Sequence, residues 1–334
     1  MDIVVKFSPI GSYFKPYKKL PMEFLTTRRV TERYSKQRID RFLSKEYGYL
    51  SRTEWQKEIG RGKLSCNGEI IIGYDRKIKT GDLIAYAGRD AAEPDVDANY
   101  TILYEDEHLL AVNKPGNLPV HPAGIFYHNT LLSILQKQYR HKLYLLHRLD
   151  RETSGVIILA KDASVASEIS KAFSTVEKSY LAFVQGVPER DVFMTEVPIG
   201  FDTGSGIEHK RIAHTDAGER ACTIFIRIAS FNGFSLLKAV PLTGRQHQIR
   251  VHLKYEGYPI VGDKLYGLDE AVFNEFLKNG PTEEIEQRVG FRRSALHSRS
   301  LTLWHPVMRK KIRVKAPLRD DMRELINMKW GCYV

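Results

Sequence analysis

An acid sits in this chain where burial makes charge costly, in His147-Arg148-Leu149-Asp150-Arg151-Glu152-Thr153-Ser154-Gly155. Tyr144, Leu145, Leu146 and Leu149 precede Asp150, and the run Val156-Ile157-Ile158-Leu159-Ala160 follows it. Neither flank alternates with polar residues, so both read as strands buried on two faces, with Thr153-Ser154-Gly155 as the turn between them. A carboxylate at the mouth of such a loop stays ionised only beside cations, and Arg148 and Arg151 are spaced to serve. Ionised and fixed, it can attack an electrophilic carbon or take a proton. The plain alternative is a loop aspartate that ties two arginines together, and what decides against it lies elsewhere in the chain.

Three further stretches carry reactive side chains. The first is an opening segment before the acid, made of Val112-Asn113-Lys114-Pro115-Gly116 and Pro119-Val120-His121-Pro122, and the second, Glu177-Lys178-Ser179-Tyr180-Leu181-Ala182, follows it. The third is Pro241-Leu242-Thr243-Gly244-Arg245-Gln246-His247-Gln248-Ile249-Arg250-Val251-His252-Leu253, which continues into Gly257-Tyr258-Pro259-Ile260-Val261-Gly262-Asp263-Lys264-Leu265-Tyr266-Gly267. Together and in this order, over roughly residues 101–318, they resemble the motifs of the RluA family of pseudouridine synthases.

The resemblance implies specific roles. Asp150 is then the catalytic aspartate, Tyr180 stacks beneath the target base and is the candidate base, and Arg250 pairs with Asp150. Arg148 matches an arginine that takes the place of a flipped-out nucleotide, which offsets part of the few kcal/mol that flipping costs. Arg245 and His247 are expected to meet RNA. The implied reaction cleaves the uridine glycosidic bond, turns the base and rejoins it through carbon 5, with no redox or energy input. No cofactor is expected, and no Gly-x-Gly-x-x-Gly fingerprint or P-loop lysine pattern occurs. At position 246 the family more often has Thr or Ser than Gln.

Local patterns place these residues. Thr243 with Gln246 reads as a capping box, Ile249 with Leu253 as an apolar pair one turn apart, and Gly257 as the stop of a helix carrying Arg250. Without the family match Arg250 would be a surface helix arginine. Tyr180 alternates with Ala182 and Val184 on a strand, where an aromatic is ordinarily core, and an ordinary phenol pKa near 10 makes it a poor unaided base.

The 334 residues suffice for one large domain and one small one. A formal net charge of +11 and a pI near 9.4 point to a polyanion: RNA, DNA or a membrane surface. No run approaches the roughly 18 apolar residues of a spanning helix and no signal-peptide core is present, so a cytoplasmic protein without membrane contact is expected, as a monomer. Cys66, Cys222 and Cys332 are odd in number and far apart, which suits reduced packing residues. His247 and His252 stand five apart with no carboxylate at ligand spacing, and no metal is expected.

Along the chain, residues 1–31 read as a basic arm. Residues 32–90 read as two short helices followed by small strands, and Arg38-Ile39-Asp40-Arg41-Phe42-Leu43, Ser51-Arg52, Cys66-Asn67-Gly68 and Gly81-Asp82 resemble the S-four RNA-binding domain. That resemblance nominates Arg52, Lys57 and Arg61 as RNA contacts, against the alternative of a small domain with a solvated charged face. Residues 91–100 read as a linker and 101–334 as the catalytic domain, with 268–293 as an acidic surface insertion without chemistry. Helices are expected over Asn129–Tyr139 and Asp162–Phe173, among strands with hairpin-like neighbours. The fold class is α+β: a pseudouridine-synthase fold with a central, mostly antiparallel mixed sheet and a catalytic cleft, plus a small N-terminal α+β RNA-binding domain.

The leading expectation is an RNA pseudouridine synthase acting on structured RNA, large-subunit ribosomal RNA ahead of transfer RNA. Its rival from another class is a noncatalytic RNA-binding or ribosome-assembly factor, which the intact Asp150, Tyr180 and Arg250 oppose. A glycosidase using Asp150 with Glu152 fails because paired catalytic carboxylates need about 5 Å or more across a sugar, and these two share one tight turn.

Overall fold

The computed structural model describes residues 26–46, 50–87, 93–122, 126, 128–207, 210–214, 218–267, 270–279 and 282–331. Most of the expected basic arm, and Cys332, lie outside the described residues. The chain divides into two compact units, Met1–Ala92 and Glu93–Val334.

In the first unit the arm's end is already structured. Thr26–Arg29 (β1) pairs antiparallel with Leu83–Tyr86 (β4), so residues 26–29 belong to the small domain's sheet, where the sequence had suggested an arm. Leu64–Cys66 (β2) and Glu69–Ile71 (β3) complete the order β1-β4-β2-β3. Helix Arg52–Gly60 (α2), which follows Ile39–Glu46 (α1), begins at a reciprocal cap: the Ser51 hydroxyl accepts the Glu54 N–H at 3.3 Å and the Glu54 carboxylate accepts the Ser51 N–H at 2.8 Å. Ile39, Phe42, Leu43, Trp55, Ile59, Leu64 and Cys66 share one core, so Cys66 packs as expected.

The second unit is built on a mixed sheet. Its first strands and helices are Thr101–Glu105 (β5), Leu109–Lys114 (β6), Leu131–Gln136 (α3), Tyr144–Leu145 (β7), Ser154–Ala160 (β8) and Ala163–Lys171 (α4). Glu177–Gln185 (β9), Val192–Thr195 (β10), Ile199–Phe201 (β11), Arg211–Ala213 (β12), Thr223–Phe231 (β13) and Phe234–Pro241 (β14) follow. Then come Gln248–Tyr255 (α5), Glu270–Asn279 (α6), Glu283–Val289 (α7), Leu296–His305 (β15), Lys310–Lys315 (β16) and Asp320–Trp330 (α8). The main path runs β10-β13-β14-β9-β15-β8-β6-β5, with β16 on β15 and β7 on β8. Every pairing along it is antiparallel except β8 with β15, as the expected fold class requires.

Strand β8 explains the unbroken apolar run. Val156 and Ile158 enter a core with α4, β15 and β16, while Ile157 and Leu159 enter another with α3 and β6. A third core lies between β9, β14, α5 and α8. The turn before β8 comes earlier than expected: Arg151 and Glu152 form it, closed by the Thr153 N–H on the Asp150 carbonyl at 3.1 Å, and Ser154 and Gly155 are already strand. Gly155, at φ +109°, lies where a Cβ would come within 2.2 Å of the Ser298 carbonyl oxygen, so glycine permits the close parallel pairing with β15.

Two expected boundaries move. The linker ends by Glu93, whose carboxylate accepts the N–H groups of His128 and Asn129 at 2.7 Å each. The 268–293 segment forms α6 and α7, and its end is no surface insertion: Phe291 and Arg293 are buried.

Candidate active site

Asp150 opens onto a cavity of about 310 Å³, lined also by Arg148, Lys178, Tyr180, Arg245, His247 and Arg250. Among the described residues, Asp150 is the one carboxylate in that lining. The turn that carries it is tied from behind. Lys114, fully buried, donates from Nζ to the carbonyls of Pro115 and Leu118 at 2.8 Å and of Arg151 at 3.1 Å. Glu152 receives Lys264 Nζ at 2.6 Å and the Ser294 N–H at 3.1 Å, an anchoring role that leaves no glycosidase pair. His147 Nε2 accepts the Ile158 N–H at 3.1 Å, and burial pushes its pKa down to about 3, so it stays neutral and fastens the entry of the loop to β8.

Arg250 projects from α5 and is 9% exposed. Its Nη1 donates to Asp150 Oδ2 at 2.8 Å, the pairing the resemblance implied, and Nε and Nη2 grip Asp263 at 2.6 and 2.9 Å. Asp263 in turn accepts the N–H groups of Leu265 and Tyr266 at 3.0 Å each. Gly262 makes this loop possible, because a Cβ there would meet the Arg293 carbonyl oxygen at 2.0 Å. Burial opposes charge on Arg250, and Asp263 with Asp150 overcomes it, which holds the guanidinium well above its usual value. Burial likewise opposes the Asp150 carboxylate, yet the guanidinium groups of Arg250 and Arg148 outweigh it and keep the group below its usual range. Arg151, expected to share that task, turns away: its Nε donates to Asn117 Oδ1 at 2.8 Å.

The helix carrying Arg250 starts later than its sequence suggested. There is no Thr243–Gln246 capping box, because Gln246 Oε1 accepts Arg211 Nη2 at 2.8 Å and the cap position falls to His247, which makes no side-chain cap. Gln248 closes the preceding turn instead, its Oε1 accepting the Thr243 hydroxyl at 2.7 Å and the Arg245 N–H at 2.9 Å. The helix ends at Tyr255, with Gly257 two residues beyond, as expected.

Tyr180 comes from β9, half-buried beside Asp150, and burial pushes its phenol up to about 12. Arg148 is exposed in the cavity lining and makes no hydrogen bond or ion pair with another described residue. Arg245 donates to Glu219 at 2.5 Å and to the Arg220 carbonyl at 3.0 Å. His247 is an inner wall residue: Nε2 lies 3.7 Å from Asp150 Oδ1, and burial lowers its pKa to about 4. In the first unit, Arg52 Nε binds fully buried Asp40 at 3.0 Å, Arg61 Nη1 binds Glu58 at 2.8 Å, and Lys57 is exposed. The residues missed from sequence are Lys114, His147, Asp263, Lys264 and Tyr266. All stand inside motif stretches, and the acid of Gly262-Asp263-Lys264 amid apolar neighbours was the signal for one of them.

This mixed sheet, with an aspartate and arginine paired in the lining of a cation-rich cavity, defines an enzyme site suited to an anionic substrate. The profile of RNA pseudouridylate synthases matches residues 108–255, from β6 to the end of α5. Over 304 residues the chain is 33% identical to ribosomal large subunit pseudouridine synthase C of Buchnera aphidicola, covering 86% of this chain and 92% of that one. It is also 33% identical over 254 residues to the mitochondrial tRNA pseudouridine(32) synthase of Saccharomyces cerevisiae, covering 73% of this chain and 52% of that one. Among solved structures, human RNA pseudouridylate synthase domain containing 4 aligns with a TM-score of 0.53 at 27% identity, covering 69% of this chain and 92% of that one. The chain belongs to the RNA pseudouridine synthases of the RluA type and isomerises uridine in RNA. No helix of the described residues is long and apolar enough to cross a membrane.

Proposed function

We propose that this enzyme modifies uridines of large-subunit ribosomal RNA, with Asp150 as the attacking group, Arg250 as its holder, Tyr180 as the platform for the base and Arg148 as the side chain that fills the vacated stack. The carrying observation is the division of the Asp150 carboxylate: Oδ2 is held by Arg250 at 2.8 Å, while the carboxylate lines the cavity beside Tyr180. Attack by Asp150 on C1′ would send the glycosidic electron pair to N1 of the departing uracil. Attack on C6 of the base, or removal of a sugar proton to give a glycal, starts from the same ionised oxygen. After the base turns and C5 bonds to C1′, the C5 proton must leave. A phenol raised to about 12 takes that proton only while passing its own on, and Asp150, once released, is the carboxylate among the described lining residues that can accept it.

Ribosomal RNA is favoured because the match to the large-subunit enzyme spans 86% of this chain and 92% of its own, whereas the transfer-RNA enzyme is matched over 52% of its length. The first unit resembles an S-four domain and is read as the docking module. Buried Asp40 and Glu58 fix Arg52 and Arg61 toward solvent, beside exposed Lys57, as a preset array for phosphates. The protein acts as a cytoplasmic monomer in this reading. Pseudouridine mapping of total RNA from cells with and without the gene tests the target. One or a few sites missing from large-subunit RNA, with transfer RNA intact, is the expected result; a site missing from transfer RNA alone reverses it.

A further inference from the structure

His247 occupies a strained position with a chemical consequence. Its backbone lies in the left-handed region at φ 58°, uncommon for a residue with a side chain. That conformation sets the imidazole between two partners: Nδ1 lies 2.8 Å from the Tyr266 hydroxyl oxygen and Nε2 lies 3.7 Å from Asp150 Oδ1. Tyr266 is 4% exposed, and its oxygen already accepts the Arg211 N–H at 3.1 Å. Among the described residues, Nδ1 is the acceptor within reach of the Tyr266 hydroxyl hydrogen; a proton on Nδ1 would leave that buried hydrogen unpaired. Tyr266 therefore donates to Nδ1, and the proton of the neutral ring stands on Nε2, toward Asp150. Burial, which lowers the imidazole to about 4, agrees with a neutral ring at pH 7.

We propose that Tyr266 and His247 are positioning residues for the isomerisation: Tyr266 fixes the tautomer that presents an N–H to Asp150 Oδ1, while Arg250 holds Oδ2. The inference rests on Asp150 as the attacking group. At 3.7 Å the contact is electrostatic rather than a hydrogen bond, so Oδ1 keeps its lone pairs for attack. The opposite tautomer would set a nitrogen lone pair against the carboxylate. His247 is also excluded as the base for the C5 proton, because one ring nitrogen is occupied by Tyr266 and the other carries the hydrogen.

Two substitutions separate this chemistry from the backbone. His247→Asn suits the left-handed conformation better but reproduces Nδ1, whereas His247→Gln suits it less and places an N–H near Nε2. With full-length protein and a stem-loop RNA, kcat is expected to fall in the order wild type, His247→Gln, His247→Asn. His247→Asn should lose on the order of 10²-fold, with KM within a few-fold. Tyr266→Phe, which keeps the ring 4.9 Å from the Arg250 guanidinium carbon, is expected to lose about tenfold in kcat with its melting temperature little changed. Asp150→Asn is measured alongside. If it keeps turnover, the parent reading fails. If it is inactive but His247→Asn equals or exceeds His247→Gln, or Tyr266→Phe turns over like wild type, the positioning role alone is overturned.

Discussion

Removing the Arg250 side chain strips a partner from two carboxylates at once. Asp263 is 1% exposed and would keep only its two backbone donors, and Asp150 would lose the bond at 2.8 Å. Breaking a buried pair by deleting one member costs about 3–5 kcal/mol, because the other charge stays behind. At about 2–4 °C per kcal/mol for a domain of this size, Arg250→Ala should melt roughly 6–20 °C below wild type. The same loss raises the Asp150 pKa and frees its rotamer, so pseudouridine formation should fall with it. Arg250→Met combined with Asp263→Asn removes the stranded charge while keeping an acceptor for the Leu265 and Tyr266 N–H groups. Part of the stability should then return without activity, because Asp150 remains unheld. Calorimetry on the three proteins, with turnover measured as tritium release from carbon-5-labelled uridine, checks both halves. Unchanged melting and turnover in Arg250→Ala would refute the pairing as the organiser of the site.

Tyr180→Phe should leave a folded, RNA-binding protein slowed by roughly 10²-fold or more, since the ring proposed to stack on the base is kept and the hydroxyl is lost; a near-normal rate would leave Tyr180 as platform only. Deleting residues 1–92 should preserve turnover on a short stem-loop and weaken capture of full-length RNA, with a deficit that shrinks as salt rises. Equal capture at moderate salt would remove the docking role of the first unit. Burial depresses His147 to about 3 and His247 and His297 to about 4 from 6.5, so the unfolded chain takes up protons that the native state refuses. Their contribution is complete above pH 6.5 and is lost as pH falls from there toward 4, so melting temperature should decline across that window. A flat profile between pH 7 and 5 would mean these imidazoles are not buried neutral.

The residues that line the cavity are legible in the sequence and their supports are not, for a physical reason. Asp150, Tyr180 and Arg250 stand in ordered motifs, and β8 is legible because both its faces are buried. Asp263 and Lys264 sit in the motif stretch from Gly257 to Gly267, yet their work depends on which way a loop turns, which no periodicity encodes. The Thr243–Gln246 pattern misled because Gln246 found Arg211 across the chain and the helix began after a left-handed His247. Strand β1 reads as an arm in sequence because its four polar residues form a strand only by pairing with β4. Lys310–Lys315 alternates charge with Ile312 and Val314, yet neither β16 nor helix α8 is among the elements expected from the sequence.

The most direct measurement is turnover by Asp150→Asn on unmodified RNA, with binding to the same RNA measured in parallel. The substitution removes the ionised oxygen and leaves the basic side chains of the cavity lining and of the first unit in place. Pseudouridine formation should be absent while affinity stays within a few-fold of wild type. Retained turnover in a folded Asp150→Asn protein would contradict the assignment on which the account stands.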